Sequence, residues 1–343
     1  MITTKRSRPS AEQLFQTMLR ERQTGFQKEL VRVSEEWNAE SVHDLRVACR
    51  RFRSALRGFG PFLDPAGTQP LGTALKAFMQ EFNSLRDLDV QLELLEKMPL
   101  PPQPALKNRI AEVVAVFRSK KKITDRKLKE YLQVNSNIGA ISLPQPLAEA
   151  LPSSQEGIRI VLKSELAHAV EHLKQIPWEM PRETIKPFHE LRIQFKHLRY
   201  GVELFAEFLG KEASELLKVF KRIQDLLGWI HDLDTLSAAI RKLWRRQARD
   251  RQILVRTLVR ELPWPLPVEF DPTRRLRPAP KDHQKAFLYI LVDLTRQRAE
   301  HFKASRNLLQ IVESLDWANS LDSWFTRGVC PTTWKKEFAS HEN

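Results

Sequence analysis

The stretch His43-Asp-Leu-Arg46-Val-Ala-Cys-Arg50-Arg51-Phe-Arg53-Ser-Ala-Leu-Arg57 repeats cationic side chains at steps of three and four residues. On an α-helix, which turns ~100° per residue, His43, Arg46, Arg50, Arg53 and Arg57 fall within an arc of roughly 80°. Leu45, Ala48, Phe52, Ala55, Leu56 and Phe59 fall on the other side. Like charges at this spacing lie ~5–6 Å apart and disfavour the helix by a few tenths of a kcal/mol per pair. No acid stands among the members of the row. An anion whose charges repeat along a line relieves that repulsion, and arginine offers a planar fork that matches phosphate oxygens. A histidine near the helix start adds a donor that becomes a cation as pH falls, beside backbone N–H groups that favour an anion. Ser41 with Asp44 reads as a capping box for this helix.

The pattern occurs twice. His189-Glu-Leu-Arg192-Ile-Gln-Phe-Lys196-His197-Leu-Arg199 repeats it at an offset of 146 residues. His189, Arg192, Lys196 and Arg199 share the basic arc, with Leu191, Leu198, Val202 and Phe205 opposite and Pro187 suited to the first turn. Glu203 stands where Arg57 stands in the first copy, so the first row is expected to bind more strongly at that end. A second pair of segments, Arg86-Asp87-Leu88-Asp89 and His231-Asp232-Leu233-Asp234, follows at an offset of 145. Two motif pairs at nearly equal offsets predict an internally duplicated chain with about four helices in each half.

The elements that carry these rows read as helices throughout. Apolar residues recur at a period of 3.6 near 11–38, 41–60, 71–98, 104–133, 155–176, 187–209, 212–260, 281–308 and 310–325, with no convincing strand. Prolines separate them, most densely in 263–280, which holds six prolines together with Arg274, Arg275 and Arg277 and reads as a loop inserted in the second half. Residues 1–10 read as a basic tail, 11–145 as the first half, 146–330 as the second and 331–343 as a C-terminal tail. Eleven glycines in 343 residues are too few for a turn-rich sandwich or a Gly-rich nucleotide loop, and neither GxxxxGK[ST] nor GxGxxG occurs. The net charge of +14 points to a polyanionic partner: nucleic acid, anionic membrane or polymeric phosphate. Cys49 and Cys330 build no disulfide framework, the N-terminus carries no apolar leader, and no apolar run reaches membrane-spanning length, which together predict a cytoplasmic protein.

These residues resemble the CHAD domain, the conserved histidine α-helical domain. The resemblance rests on the His43-to-Arg57 and His189-to-Arg199 segments and on Leu85–Val90 and Gln224–Thr235, including Gln224-Asp225-Leu226-Leu227-Gly228. It extends from about residue 10 to 325. It implies an all-α fold of two antiparallel four-helix bundles related by a pseudo-two-fold axis, around a basic groove that binds inorganic polyphosphate, and no catalytic activity or cofactor. Association with polyphosphate granules would follow. A strand-rich CYTH domain, with which such domains are often fused, is not expected in this chain. Glu203, His197 and the arginine-bearing loop 263–280 depart from the family pattern and predict an asymmetric groove.

Other chemistries have weaker support. Aspartates two apart on a helix point in different directions, so Asp87 with Asp89 and Asp232 with Asp234 are expected to anchor arginines rather than a metal. His168 and His172, with Glu165 one turn earlier, lack a further ligand. Cys49 lies at the edge of the basic row, where arginines could lower its pKa, but no base is placed to activate it. The rows carry almost no aromatics for base stacking, Tyr200 lying off the centre, although the chain has eight tryptophans. A second basic region, Arg118, Lys121, Lys122 and Arg126, has a counterpart in Arg296, His301 and Lys303, and these, with Arg51, are candidates for the opposite wall of the groove. An RNA- or DNA-binding protein, or a scaffold for an acidic partner protein, remains the alternative to a polyphosphate binder.

Overall fold

The computed structural model describes residues 10–147, 153–176, 186–247, 282–314 and 317–327. The helices are α1 (Ala11–Glu35), α2 (Ala39–Phe59), α3 (Pro65–Lys97), α4 (Pro104–Val134), α5 (Ser154–Lys174), α6 (Lys186–Leu204), α7 (Ala206–Leu209), α8 (Glu212–Gln247), α9 (Asp282–Ser314) and α10 (Trp317–Arg327). Among the described residues there is no strand, only an isolated bridge between Leu63 and Pro146. The fold is all-α, as the periodicity requires. The proline-rich stretch 263–280, both tails and the end of the helix expected to reach residue 260 lie outside the described residues.

Capping chemistry moves several boundaries. The box that starts α2 is formed by Asn38 and Ser41, not by Ser41 and Asp44. Asn38 Oδ1 accepts from the Ser41 backbone N–H at 2.8 Å, and Ser41 Oγ accepts from the Asn38 N–H at 3.1 Å. Asparagine serves as an N-cap as well as serine does, so α2 begins two residues early and α1 ends at Glu35. Asp44 instead accepts from Arg32 of α1 at 2.6 Å. Helix α3 begins six residues before the expected position because Asp64 caps it and Pro65 occupies its first turn, where the missing N–H costs nothing. The segment expected as one helix over 187–209 is broken between α6 and α7, and α9 continues past residue 308 to Ser314.

The buried apolar residues form two clusters. The larger joins α1, α2, α5, α6 and α10 to the first part of α3, the end of α4, the first part of α8 and the end of α9, with Phe15, Phe26, Phe52, Phe59, Phe78 and Phe195 fully enclosed. The smaller joins the end of α3, the start of α4, the end of α8 and the start of α9 around Phe117, Ile240 and Phe287. Each cluster draws helices from both halves of the sequence, so the core does not divide at residue 145 where the repeat divides. The long helices α3, α4, α8 and α9 pass through both clusters and tie them together. At one crossing a ring lies against bare backbone: a Cβ on Gly157 of α5 would stand 2.6 Å from Phe15 Cζ of α1, so any larger residue would have to displace that buried ring.

Candidate anion-binding cleft

Helices α2 and α6 pack side by side. Their apolar stripes enter the larger cluster: Leu45, Phe52, Ala55, Leu56 and Phe59 of α2, and Leu191, Leu198 and Val202 of α6, are buried there. Phe205, the last member of the second stripe, is equally enclosed just beyond the end of α6. Burying the stripes brings the two basic rows together. Arg50 Nη1 donates to the Tyr200 hydroxyl across the gap at 3.0 Å. A cavity of about 250 Å3 lies between the helices, lined by Arg50, Arg53 and Arg57 of α2 and by Lys196, His197 and Tyr200 of α6. Helix α3 adds Thr68 and Gly72 to its wall, and Ser54 of α2 adds a hydroxyl.

The cations of this cleft are crowded and largely without counter-ions. Among the described residues, no carboxylate lies within 4.0 Å of Arg46, Arg50, Arg53, Arg192 or Lys196. Arg46 is only 7% exposed, and burial, then Arg50 and Arg86, push its pKa down to about 10. Its Nε and that of Arg192, its counterpart one repeat later, have no hydrogen-bond partner. Burial also lowers the pKa of Arg53, Arg57 and Arg192. Lys196 is affected most: burial, followed by the repulsion of Arg50, Arg192, Arg46 and Arg199, pushes its ammonium down to about 6.

The histidines do not behave as the sequence suggests. Burial and neighbouring cations hold His43 and His189 below the usual imidazole range, so both stay neutral until the solution is more acidic than a free histidine would need. His197 is pushed to about 3 by burial and then by Arg57, Lys196 and Arg53. The His189 ring stacks on His231 of α8, with centroids 5.1 Å apart.

Two carboxylates meet the rows, one from α5 and one from the end of the second row itself. Glu165 of α5 pairs with Arg57 Nη2 at 2.7 Å, so the last member of the first row is already neutralised. Glu203 pairs with Arg51 and lies 3.9 Å from Arg199. Arg51 is therefore turned toward Glu203 and does not line the cavity. Arg199 also donates from Nε to Gln224 of α8 at 2.9 Å, within the segment that begins Gln224-Asp225.

The Asp-Leu-Asp segments act as anchors. Asp89 Oδ1 holds Lys121 of α4 at 2.6 Å, and its counterpart Asp234 holds Arg298 Nε of α9 at 2.7 Å. The first aspartates, Asp87 and Asp232, lie in the field of Arg46 and Arg192. Burial and the repulsion of Asp232 raise the Asp87 pKa, while His231, Arg46 and Arg192 oppose the rise. Among the described residues no group of three or more His, Cys, Asp or Glu is placed to hold a metal. Glu165 is engaged with Arg57, and His172 Nδ1 lies 2.8 Å from the backbone oxygen of His168. Cys49 is fully buried, and burial outweighs the nearby arginines and raises its thiol to about 12.

The expected opposite wall stands elsewhere. Arg118, Lys121 and Lys122 line a separate cavity of about 710 Å3 between α3, α4 and the start of α2, beneath Trp37, and it shares no lining residue with the smaller one. Arg118 is paired there with Glu96 at 2.8 Å. Arg126 approaches Glu130 at 3.9 Å on an exposed face. In the second half His301 stacks on Trp229 with centroids 5.0 Å apart, Arg296 is half-buried and Lys303 is exposed. The residues that do close the cavity were outside the expected rows. Tyr200 had a legible signal, because it follows Lys196 by four residues and so shares its face. Thr68 and Gly72 had none, because they come from another helix, and neither had Glu165, which neutralises Arg57 without lining the cavity.

The comparisons with known proteins agree with this architecture. The structure resembles the crystal structure of the CHAD domain from the plant Ricinus communis, at a TM-score of 0.57 and 20% identity, over 88% of this chain and 92% of that one. It also resembles PptA from Streptomyces chartreusis, at a TM-score of 0.60 and 15% identity, over 90% of this chain and 100% of that one. No curated protein matches the chain in sequence. The CHAD domain family matches residues 17–241, well over half of the chain and including both basic rows and both Asp-Leu-Asp segments, and the chain belongs to that family.

Proposed function

We propose that the protein binds inorganic polyphosphate in the cleft between α2 and α6 and performs no chemistry on it. The observation that carries this reading is the set of crowded cations without counter-ions, Arg46, Arg50, Arg53, Arg192 and Lys196, held on two helices that meet along a polar cavity. Polyphosphate supplies closely spaced negative charge and no bulky groups, which is what such a cleft can accept. CHAD domains are linked to polyphosphate binding in general, in keeping with this reading. The duplication gives the site its two sides: one basic helix from each of two pseudo-symmetric halves.

Nucleic acid fits less well. Sequence-tolerant binding of single strands relies on exposed aromatic faces. The aromatic residue of the cavity, Tyr200, is 5% exposed, and the Arg199 guanidinium lies 4.7 Å from its ring centroid. Burial moves Cys49 and His197 away from nucleophile or base chemistry near neutral pH. We read the Lys196 amine, which burial and the arginines push down to about 6, as a binding group among guanidinium groups. Bound chains are therefore expected to stay intact. No described helix is long and apolar enough to cross a membrane, and association with polyphosphate granules is the expected consequence of binding.

The test is a titration of long-chain polyphosphate, tripolyphosphate and single-stranded RNA at matched salt. Polyphosphate should displace RNA, and affinity should fall steeply with salt as counterions are released. RNA that binds equally well per phosphate and resists competition would refute the reading, and orthophosphate release by the purified protein would refute its non-catalytic part.

A further inference from the structure

Lys196 is unlike the other cations of the cleft. It projects from α6 into the cavity and is the one amine among guanidinium groups there. Arg46 and Arg50 face it from α2, Arg53 lines the same cavity, and Arg192, Arg199, His189 and His197 surround it on its own helix. The four arginines whose field it feels are Arg46, Arg50, Arg192 and Arg199. The acids on neighbouring elements are committed elsewhere. Glu165 of α5 is paired with Arg57, and Glu203 with Arg51 and Arg199. Asp87 of α3 and Asp232 of α8, with His231, stand in the field of Arg46 and Arg192. Tyr200 of the same helix accepts from Arg50. Among the described residues, Lys196 itself has no ion-pair partner.

We propose that Lys196 is a specificity-determining residue of this cleft: enclosed among arginines with no carboxylate partner, it takes up a proton from solvent as a phosphate chain enters, so that only an anion of high charge density completes the site. The inference rests on the polyphosphate reading of the cleft and names how that site selects its occupant. Its physical basis is the field of the four arginines and the desolvation of the amine, which together favour the neutral form at physiological pH. An arginine at this position would stay charged, because a guanidinium is not deprotonated in proteins. Several phosphates placed among the cations reverse the field and restore the ammonium. A sparsely charged chain reverses it less and gains less.

Binding is thereby coupled to proton uptake. Between about pH 6 and the higher pKa of the occupied state, one site taking up at most one proton loses affinity by up to tenfold for each unit that pH rises. Below about pH 6 the lysine is already charged and its share of the dependence vanishes.

The experiment is calorimetric titration of the full chain with long-chain polyphosphate at pH 7.5, in two buffers of different ionisation enthalpy, for the wild type, Lys196→Arg and His197→Gln. The wild type and His197→Gln should take up close to one proton per bound site, and Lys196→Arg close to none. The same titrations with single-stranded RNA should show a smaller uptake in the wild type. Equal uptake by the wild type and Lys196→Arg, binding by the wild type with no uptake, or loss of uptake in His197→Gln would each overturn the assignment to Lys196 while leaving the proposed ligand intact. Absence of polyphosphate binding by the wild type in either buffer would refute the proposed function, and this inference with it.

Discussion

Helices α2 and α6 carry the two copies of the basic motif, yet they hold their charge differently. On α2 the row beyond His43 is all guanidinium, and Arg50 and Arg53 have no carboxylate partner among the described residues. On α6 the corresponding positions hold Lys196, a base pushed down to about 6, and Arg199, shared between Gln224 and Glu203. The first side supplies constant charge, and the second supplies charge that depends on its surroundings. The anchors beneath the rows differ as well. Asp89 and Lys121 meet at 30% and 40% side-chain exposure, whereas Asp234 and Arg298 meet at 12% and 6%. The two copies of the sequence motif thus place matching residues in surroundings of different dielectric.

The strongest test of this contrast is the ligand affinity of two double variants. Arg50→Ala with Arg53→Ala should weaken polyphosphate binding on the order of a hundredfold, from two lost charge-assisted contacts. Lys196→Ala with Arg199→Ala should weaken it less at pH 7.5, where the lysine of the empty cleft is mostly neutral. Equal losses in the two titrations would mean that the rows are equivalent.

Next in size is the pair of anchors. Asp234→Ala leaves the Arg298 guanidinium buried against the core and should cost about 3 kcal/mol of stability. Asp89→Ala breaks a half-exposed pair and should cost about 1 kcal/mol or less. Urea denaturation of the two variants measures both, and a larger loss for Asp89→Ala would reverse the comparison.

Lys196 should also be visible in the stability of the empty protein. Its pKa falls from 10.5 to about 6 on folding, so between those values the unfolded chain binds a proton that the folded chain has released. Stability therefore rises with pH across that window, and the cost of burying the amine is fully present below about pH 6. Lys196→Met should stabilise the protein by about 2 kcal/mol at pH 7, with the gain shrinking toward pH 10. Thermal unfolding as a function of pH gives the sign directly.

The smallest effect concerns Glu203. Read as a simple interruption of the second row, it would make Glu203→Arg tighten binding. The structure ties its carboxylate to Arg51 and Arg199, so an arginine there would crowd three cations and scatter them. Glu203→Gln, which releases both partners without adding charge, should tighten polyphosphate binding by about threefold or less, the scale of a partly exposed ion pair. A fall in affinity would show that the carboxylate holds Arg199 in its binding pose.

Much of this was written in the chain. The 3.6-residue period placed every described helix except the one-turn α7, and the angular arithmetic put Leu45, Phe52 and Phe59 in the core and Arg50 and Arg53 in the cleft. What periodicity cannot give is which helix meets which. Glu165 neutralises Arg57 from 108 residues away, and the basic face with Lys121 and Arg118 turns to the acids of α3 rather than to the rows. The charge state of a side chain was equally hidden. His43 resembles a pH-responsive donor and Cys49 an arginine-activated thiol until burial is known, and burial moves both toward inertness.

The long helices have a practical consequence. The far ends of α8 and α9, at Leu243, Trp244, Ala286 and Phe287, belong to the smaller apolar cluster, while the cleft belongs to the larger one. From Gly228, where a Cβ would stand 3.8 Å from Arg192 Nε, α8 continues to Gln247 at ~1.5 Å per residue, or roughly 28 Å. The described ends Gln247 and Asp282 therefore stand at the far end of two rods, remote from the cleft. A fluorescent reporter attached at Gln247 or at Asp282 would be fixed to the far end of a rod, beside the smaller apolar cluster, so its anchoring point would leave the side chains of the cleft unaltered.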